Sequence, residues 1–304
     1  MNTMDTVKPI LKWVGGKTQI LDKLFANFPT KINNYHETFL GGGSVLLALL
    51  SQIGDGKIKV TGTINAYDIN EPLIYVYKNI QTQHTEVYAI LQTMIGELNA
   101  CPSEGTLNRK PTTMEEATLS KENYYYWCRT RYNKLTAEEK RTPIGSALFI
   151  FLNKTCFRGV FRVGPNGFNV PYGHYKNPEV VNKDHLEEVH RLIQNVRFEC
   201  MDFVSSMNQV SVNDYVYLDP PYAPETATSF VGYTENGFGI EMHKQLFALI
   251  RGKKARFMMS NADVELVRTN FPNGDYTTET ILCKRAINSK NPESKTNEVI
   301  IKNY

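Results

Sequence analysis

The stretch HETFLGGGS at residues 36–44 decides the fold class of this chain. Residues 36–40 predict a short strand, and the three glycines that follow predict a tight turn. Ser44 is then a favourable N-cap for an apolar helix, which we expect over residues 45–52. A strand, a glycine turn and a helix in this order form the opening unit of a doubly wound α/β sheet.

The elements that flank this unit extend the α/β pattern. Residues 57–67 predict a second strand that ends at Asp68, and apolar residues at helical spacing predict a helix from Glu71 onward. The apolar run Tyr215–Leu218 predicts a buried strand. Further strands are predicted at residues 256–259, 278–283 and 299–301, and a further helix at residues 240–250. The polar, lysine-rich segment 284–298 is expected to be mobile.

The middle of the chain lacks a strong parallel-strand signal. Residues 101–120 contain few large apolar side chains and predict an exposed loop. Residues 123–135 and 143–153 predict helices, and the turn at residues 163–167 closes a predicted hairpin. We therefore expect an α/β domain built from residues 1–80 and 182–304, interrupted by a mostly helical insert at residues 81–181.

The formal net charge of +3 says little about partners, but the charge is unevenly distributed. Residues 140–178 contain no Asp or Glu, although about one residue in ten of the chain is acidic. The basic residues of this stretch are Lys140, Arg141, Lys154, Arg158, Arg162 and Lys176. Such a stretch is either a locally basic face or a surface that binds phosphate.

The five cysteines are widely spaced and form no C-x-x-C pair. This pattern argues against a disulfide framework and against a zinc site, and it favours a reducing compartment. No window approaches the roughly 18 apolar residues of a transmembrane helix, and the N-terminus lacks the apolar run of a signal peptide. We expect a cytoplasmic protein that binds no membrane and no metal.

The strongest chemical motif is Asp219-Pro220-Pro221-Tyr222, directly after the predicted strand Tyr215–Leu218. The exocyclic amine of a base is a poor nucleophile, because its lone pair is delocalised into the ring. A carboxylate and a backbone carbonyl that accept its N–H groups would localise that lone pair, and adjacent prolines would hold both acceptors rigidly. Tyr222 would offer a flat surface for a base taken out of a duplex. The alternative is a rigid strand-to-loop turn with a capping aspartate.

Two further motifs are candidates for a ligand site. The turn that contains Phe39, Gly41 and Gly43 lets a ligand approach the backbone at a helix N-terminus, and such turns bind dinucleotides in some folds and S-adenosylmethionine in others. Asp68 stands where an acid can accept both ribose hydroxyls, but an N-cap of the next helix explains it equally well. The string KWVGGK at residues 12–17 suits a loop that reaches a carboxylate or phosphate, or a tight turn with a solvated lysine.

Five motifs occur along the chain: KWVGGK at 12–17, FLGGGS at 39–44, YDIN at 67–70, FNVPYGHY at 168–175 and DPPY at 219–222. With these motifs the chain resembles the Dam-type DNA adenine-N6 methyltransferases over about residues 8–302. The resemblance implies an α/β, Rossmann-like S-adenosylmethionine-dependent methyltransferase fold with an inserted, mostly helical DNA-recognition domain. It also implies methyl transfer to adenine N6 in double-stranded DNA, by base flipping and direct displacement.

The resemblance assigns roles to individual residues. The positions that contact S-adenosylmethionine are Trp13, Lys17, Asp68 and Asp219, together with the turn residues Phe39, Gly41 and Gly43. The catalytic tetrad is Asp219, Pro220, Pro221 and Tyr222. The expected DNA-binding residues are Lys154, Arg158, Arg162, Pro171 and Tyr175. Arg162 falls, after allowing a one-residue gap in the following turn, where the family has an arginine that reads a guanine, whereas many members carry a small amide residue at the position of Arg158.

The expected partner is double-stranded DNA, with a cognate restriction endonuclease as a further candidate, and we expect a monomer in solution. An N4-cytosine or RNA exocyclic-amine methyltransferase is the nearest alternative, because the tetrad would activate any planar exocyclic amine. A nicotinamide-dependent dehydrogenase would share the glycine turn and Asp68 but has no use for the tetrad. An inactive DNA-binding protein would need neither of the cofactor motifs.

Overall fold

A computed structural model describes residues 6–224, 237–284 and 295–304 of the chain. The helices are α1 Leu21–Asn27, α2 Ser44–Gly54, α3 Glu71–Ala100, α4 Met114–Ala117, α5 Lys121–Lys134, α6 Ala137–Lys140, α7 Pro143–Thr155, α8 Lys183–Leu192, α9 Phe203–Asn208, α10 Ile240–Gly252 and α11 Glu265–Asn270. The strands are β1 Lys31–Ile32, β2 Tyr35–Glu37, β3 Lys59–Val60, β4 Ile64–Asp68, β5 Val163–Gly164, β6 Gly167–Phe168, β7 Val196–Cys200, β8 Tyr215–Leu218, β9 Arg256–Ala262, β10 Thr277–Lys284 and β11 Lys295–Lys302.

The fold is mixed α/β, around a seven-stranded sheet in the order β10-β11-β9-β8-β2-β4-β7. The pairs from β9 through β7 are parallel, and β11 runs antiparallel to both of its neighbours, β9 and the edge strand β10. A mostly parallel sheet of this kind is consistent with a methyltransferase fold, as predicted. The predicted strands β4, β8, β9, β10 and β11 are confirmed, whereas β7 was not predicted.

The strand order fixes where a ligand site can form. From β2 the chain runs outward through β4 to β7, then returns to the other side of β2 to form β8 and β9. The order therefore reverses between β2 and β8, and the crevice outside their carboxyl ends is where open α/β sheets bind ligands. The glycine turn follows β2, Asp68 ends β4, and Asp219 follows β8, so all three predicted motifs lie at this edge.

The unit at residues 36–44 differs in detail from the prediction. The strand β2 ends at Glu37, and the N-cap of α2 is Gly43 rather than Ser44. Gly43 has a φ of 75°, which favours glycine, and it leaves Ser44 as the first helical residue. The Ser44 hydroxyl accepts the backbone N–H of Lys17 at 3.1 Å, so this side chain fastens the KWVGGK loop instead of capping its own helix.

The long helix α3 joins the two expected domains. It continues through residue 80, where the domain boundary is predicted, and bends at Gln83, whose backbone is not helical (φ −142°, ψ 33°). Asn79 lies just before the bend and is buried, and its amide donates to the Ser146 hydroxyl at 2.8 Å and the Arg141 carbonyl at 2.9 Å. The second half of α3 packs with α5 and α7.

The segment at residues 101–120 is mostly exposed, as predicted, but it is not a free loop. Pro111 is buried, and Ala117, in the short helix α4, is fully buried. The buried Asn123 side chain donates to the Thr106 carbonyl at 3.0 Å and accepts the Asn108 N–H at 2.8 Å. The buried Asn123 amide is therefore one of the contacts that attach the segment to α5, together with the Lys121 N–H, which donates to the Pro102 carbonyl at 3.0 Å.

The predicted helices and hairpin of the insert are confirmed as α5, α7 and the β5–β6 pair. Of the segment 284–298, residues 285–294 lie outside the described residues. The expectation of mobility is wrong for Glu298, because β11 continues through it and pairs it with Ala262 of β9. No helix in the described parts of the chain is long and apolar enough to cross a membrane.

Candidate active site

The turn after β8 holds Asp219 against Lys17. The Lys17 Nζ lies 2.7 Å from Asp219 Oδ2, and it also donates to the Gly15 carbonyl at 2.8 Å. Lys17 is only 5% exposed, so the alternative of a solvated lysine is wrong. The KWVGGK loop therefore reaches a carboxylate of the protein itself.

The Asp219 carboxyl has an altered acidity, and one of its oxygens is unpaired among the residues that the structure describes. Burial raises its pKa to about 6, Lys17 opposes this rise, and the carboxyl of Glu298 adds to it. Its second oxygen, Oδ1, is buried and has no hydrogen-bond partner among the described residues. A buried, unpaired acceptor is costly for a folded protein, and it is expected where a ligand supplies the missing donor.

Three hydrogen bonds from distant elements hold the rest of this turn. The Pro221 carbonyl lies 2.9 Å from Nε2 of His243 in α10. The Tyr222 hydroxyl donates to Glu298 of β11 at 2.7 Å. The Ala223 N–H donates to the Asn261 side-chain carbonyl, in β9, at 2.9 Å.

The sequence motifs did not reveal His243, Asn261 or Glu298, because each contact joins residues far apart in the chain. The only local signal for Glu298 was its position just before the apolar run 299–301.

The glycine turn after β2 packs closely against Asp68 and Trp13. The Gly41 N–H donates to Asp68 Oδ2 at 2.9 Å, and the Asn70 N–H donates to Asp68 Oδ1 at 2.8 Å. A Cβ on Gly42 would lie 2.8 Å from the Trp13 Cβ, so a side chain there would displace the loop. The N-cap of α3 is Asn70, so the alternative role of Asp68 as that N-cap is wrong. Burial raises the pKa of Asp68.

Aromatic side chains stand on both sides of the glycine turn. The Trp13 ring stacks on Phe161 with 5.7 Å between the centroids. Phe39 stacks on Phe203 at 6.2 Å and meets Phe238 edge-on at 5.9 Å. Phe203 begins α9, which follows the strand β7. The sequence analysis missed β7, although the alternation of apolar and charged residues at 196–199 was a usable signal.

The predicted DNA-binding residues lie between α7 and residue 175 and differ in their surroundings. Arg162 is exposed, and its guanidinium is held by Asn169, whose side-chain oxygen accepts from Nε at 2.6 Å. Arg158 is exposed with a φ of 57° and lies over the Phe157 ring. Lys154 is half-buried, and burial followed by the nearby Lys12 lowers its pKa.

The remaining two residues, Pro171 and Tyr175, are tied to the same region. The Pro171 carbonyl accepts the Phe157 N–H at 2.9 Å. The Lys12 ammonium lies over the Tyr175 ring, 4.0 Å from its centroid. The N–H and the carbonyl of Lys12 both bond to the side chain of Asn153 in α7, each at 2.8 Å. The KWVGGK loop therefore contacts the acid-free stretch at residues 140–178, called the basic segment below, at one end and Asp219 at the other.

Comparison with known proteins agrees with this geometry. The family model of the D12 class N6 adenine-specific DNA methyltransferases matches residues 13–288. The chain belongs to this family. It is 34% identical to the type II methyltransferase M.MjaIII of Methanocaldococcus jannaschii, over 98% of this chain and 99% of that protein. It is 31% identical to the DNA adenine methylase of Escherichia coli K12, over 86% of this chain and 83% of that protein.

This membership confirms the predicted family, and the chain is an adenine-specific DNA methyltransferase. Similarity also extends to the type II methyltransferase M1.LlaDCHI of Lactococcus lactis, which is 29% identical over 98% of this chain and 96% of that protein. The alternatives of a dehydrogenase and of an inactive DNA-binding protein are not supported.

Proposed function

We propose that this enzyme uses S-adenosylmethionine to methylate N6 of an adenine flipped out of double-stranded DNA, and that Asp219 accepts the N6–H. The observation that carries the proposal is the buried Oδ1 of Asp219, at the carboxyl end of β8, which has no hydrogen-bond partner in the described parts of the chain. An exocyclic amine would supply the missing donor. The family assigns adenine as the base that bears this amine.

The residues at the carboxyl edge of the sheet fit S-adenosylmethionine. The glycines at 41–43 let the turn pack directly against Trp13, since a Cβ on Gly42 would lie 2.8 Å from the Trp13 Cβ. Asp68 would accept the ribose hydroxyls, Phe39 would contribute an apolar wall, and Trp13 and Lys17 would close the site from the KWVGGK loop. When bound, S-adenosylmethionine supplies an electrophilic methyl group on a positively charged sulfur.

The protein's own contribution to catalysis is the placement of acceptors and of one ring. Asp219 Oδ1 and the Pro220 carbonyl would accept the two N–H groups of the amine and localise its lone pair. Both Pro220 and Pro221 have a fixed φ, so the acceptors are set before the base arrives. Tyr222 would stack against the face of the base. The ionised carboxylate is the stronger acceptor, and with a pKa of about 6 most of the Asp219 carboxyl is ionised at neutral pH.

We infer that residues 81–181 form the target-recognition insert. Arg162 would pair with the O6 and N7 atoms of a guanine, since a planar guanidinium fits that edge bidentately. Arg158 and Lys154 would contact phosphates, and Pro171 and Tyr175 would shape the surface between them. The exposed positions of Arg158 and Arg162, in a stretch without acidic residues, support this assignment.

The relatives named type II methyltransferases suggest that a restriction endonuclease with the same recognition sequence accompanies this enzyme. We further propose that the enzyme acts as a monomer, because one chain carries both the tetrad and the basic segment.

The decisive experiment is mass spectrometry of nucleosides from duplex DNA treated with the protein and S-adenosylmethionine. We expect the modified nucleoside to be N6-methyl-2′-deoxyadenosine. N4-methylcytosine, or activity on RNA alone, would favour the nearest alternative.

The Asp219→Ala variant tests the role of the carboxylate and should lose several kcal/mol of transition-state stabilisation, which lowers its rate. The control is Asp275→Ala, at an exposed aspartate beyond α11, and it should keep the wild-type rate. More than about a tenth of the wild-type rate, a loss of only ~1.4 kcal/mol, would contradict the role of Asp219.

A further inference from the structure

The hydroxyl of Tyr222 is bonded to a carboxylate from the far end of the chain. Tyr222 Oη donates to Glu298 Oε2 at 2.7 Å across 76 residues of sequence. Glu298 lies in β11, and its backbone pairs with Ala262 of β9, the strand next to β8. The rigid sheet therefore carries the acceptor to a fixed point beside the tetrad.

Stacking against a base requires only the ring of Tyr222, so the function already proposed does not explain this bond. The bond does fix the tip of the ring. The backbone on either side of Tyr222 is fixed by the bonds of the Pro221 carbonyl with His243 and of the Ala223 N–H with Asn261. The Lys17 ammonium lies over the same ring, 5.0 Å from its centroid. Because both the backbone and the hydroxyl of Tyr222 are held, the orientation of the ring is fixed before a base binds. Such preorganisation lowers the barrier of a reaction between positioned groups.

Glu298 is also a second carboxyl near Asp219. Within residues 6–224, 237–284 and 295–304, the ionisable groups that interact electrostatically with Asp219 are Lys17, Glu37, Tyr217, Tyr222 and Glu298. Of these, Lys17 is the cation, and its ammonium is already paired with Asp219 Oδ2. The charge of Glu298 therefore favours the protonated form of Asp219, in addition to its bond with Tyr222.

We propose that Glu298 is a positioning residue for the methyl transfer, which holds the Tyr222 hydroxyl so that the ring is placed to stack on the target base. The inference rests on the proposed function, in which Tyr222 is the stacking surface. Glu298 touches neither the base nor the methyl donor in this role. It acts on base placement through Tyr222, so its removal and the removal of the hydroxyl should lower kcat at the pH optimum alike.

The test is a double-mutant cycle on kcat with Tyr222→Phe and Glu298→Ala. Each change alone should lower kcat about tenfold, and the double variant should lose little more than either, because both remove the same bond. Glu298→Gln should keep kcat within about threefold at its optimum, since an amide oxygen still accepts the hydroxyl. Glu279→Gln, the same change at an exposed position of β10, is the matched control and should equal wild type.

Two further measurements separate positioning from a general structural role. Because Glu298→Gln removes a negative charge near Asp219, the acid limb of its pH–rate profile should move to lower pH. The fluorescence of 2-aminopurine at the target position reports base placement without methyl transfer. Glu298→Ala and Tyr222→Phe should change it alike, and Glu298→Gln should leave it as in wild type.

Independent losses that multiply to about a hundredfold in the double variant would overturn the inference, as would a fully active Glu298→Ala. An acid limb that stays in place in Glu298→Gln would also count against it. Absence of adenine methylation by the wild-type protein would instead refute the proposed function, so the two failures are distinct.

Discussion

Removal of the Lys17 ammonium is the sharpest test of the electrostatics around Asp219. In Lys17→Met the side chain keeps its length and loses its charge, so the buried Asp219 Oδ2 loses its partner at 2.7 Å. A buried carboxyl without a cation favours its neutral form, and a neutral carboxyl is a poor acceptor for an amine. We expect the variant to lose most of its activity at neutral pH and to recover activity in alkali.

The size of the effect follows from the pKa of Asp219, which is about 6 with Lys17 in place. An opposite charge within 4–6 Å lowers the pKa of a carboxyl by about 1–3 units, so its removal should raise the pKa of Asp219 to roughly 8. The ionised fraction at pH 7 would then fall from about nine tenths to about one tenth. The rate at pH 7 should therefore fall about tenfold more than the rate at pH 9 or above.

The assay is kcat/KM for methyl transfer between about pH 5 and pH 10, with cofactor affinity measured separately because Lys17 also borders the proposed cofactor site. The matched control is Lys57→Met, which removes an exposed lysine paired with Asp55 at 2.8 Å and should leave the profile unchanged. The acid limb of Lys17→Met should move upward by one or more pH units. A limb that stays near pH 6 would refute the assignment of that limb to Asp219.

Two further predictions concern the insert. Arg162→Ala should cost roughly 1–3 kcal/mol at one base pair and flatten discrimination there, whereas Lys154→Ala should weaken binding to every sequence alike and reduce the salt dependence by about one ion. Methylation of cognate and singly substituted sites at several salt concentrations distinguishes them, and an equal loss at all sites in Arg162→Ala would make it a phosphate contact. Replacing residues 102–118 by a Gly/Ser linker should lower Tm, because the buried Asn123 side chain loses its hydrogen-bond partners. The free energy of unfolding should fall by about 1–3 kcal/mol, and methylation should persist. An unchanged Tm would show that these contacts do not stabilise the fold.

The parts of the fold that local sequence determines were predictable. The strand β4 ends at Asp68, β8 is an apolar run followed by Asp219, and the helix α7 has a proline at its start and an apolar interior. The glycine turn was predictable because only glycine adopts the φ of 75° at Gly43 without strain. Each of these signals lies within a window of about ten residues.

The missed features depend on contacts between distant parts of the chain. The strand β7 has a local signal, because apolar and charged residues alternate at 196–199, but its place at the sheet edge depends on pairing with the distant strand β4. Ser44 has the composition of an N-cap, but its hydroxyl serves Lys17, 27 residues away. The Glu298 carboxyl has a defined position only because β11 pairs with β9. None of these relations leaves a local pattern.

The KWVGGK loop shows how such distant contacts connect the two halves of the proposed reaction. At its start, the backbone of Lys12 is bonded twice to Asn153 of α7, and the Trp13 ring stacks on Phe161, the residue before Arg162. At its end, Lys17 is paired with Asp219. A displacement of the basic segment would therefore act directly on the loop that sets the charge state of Asp219, the proposed catalytic carboxyl. In this arrangement the boundary between the proposed insert and the proposed catalytic domain is a packed interface, and six residues of sequence span it.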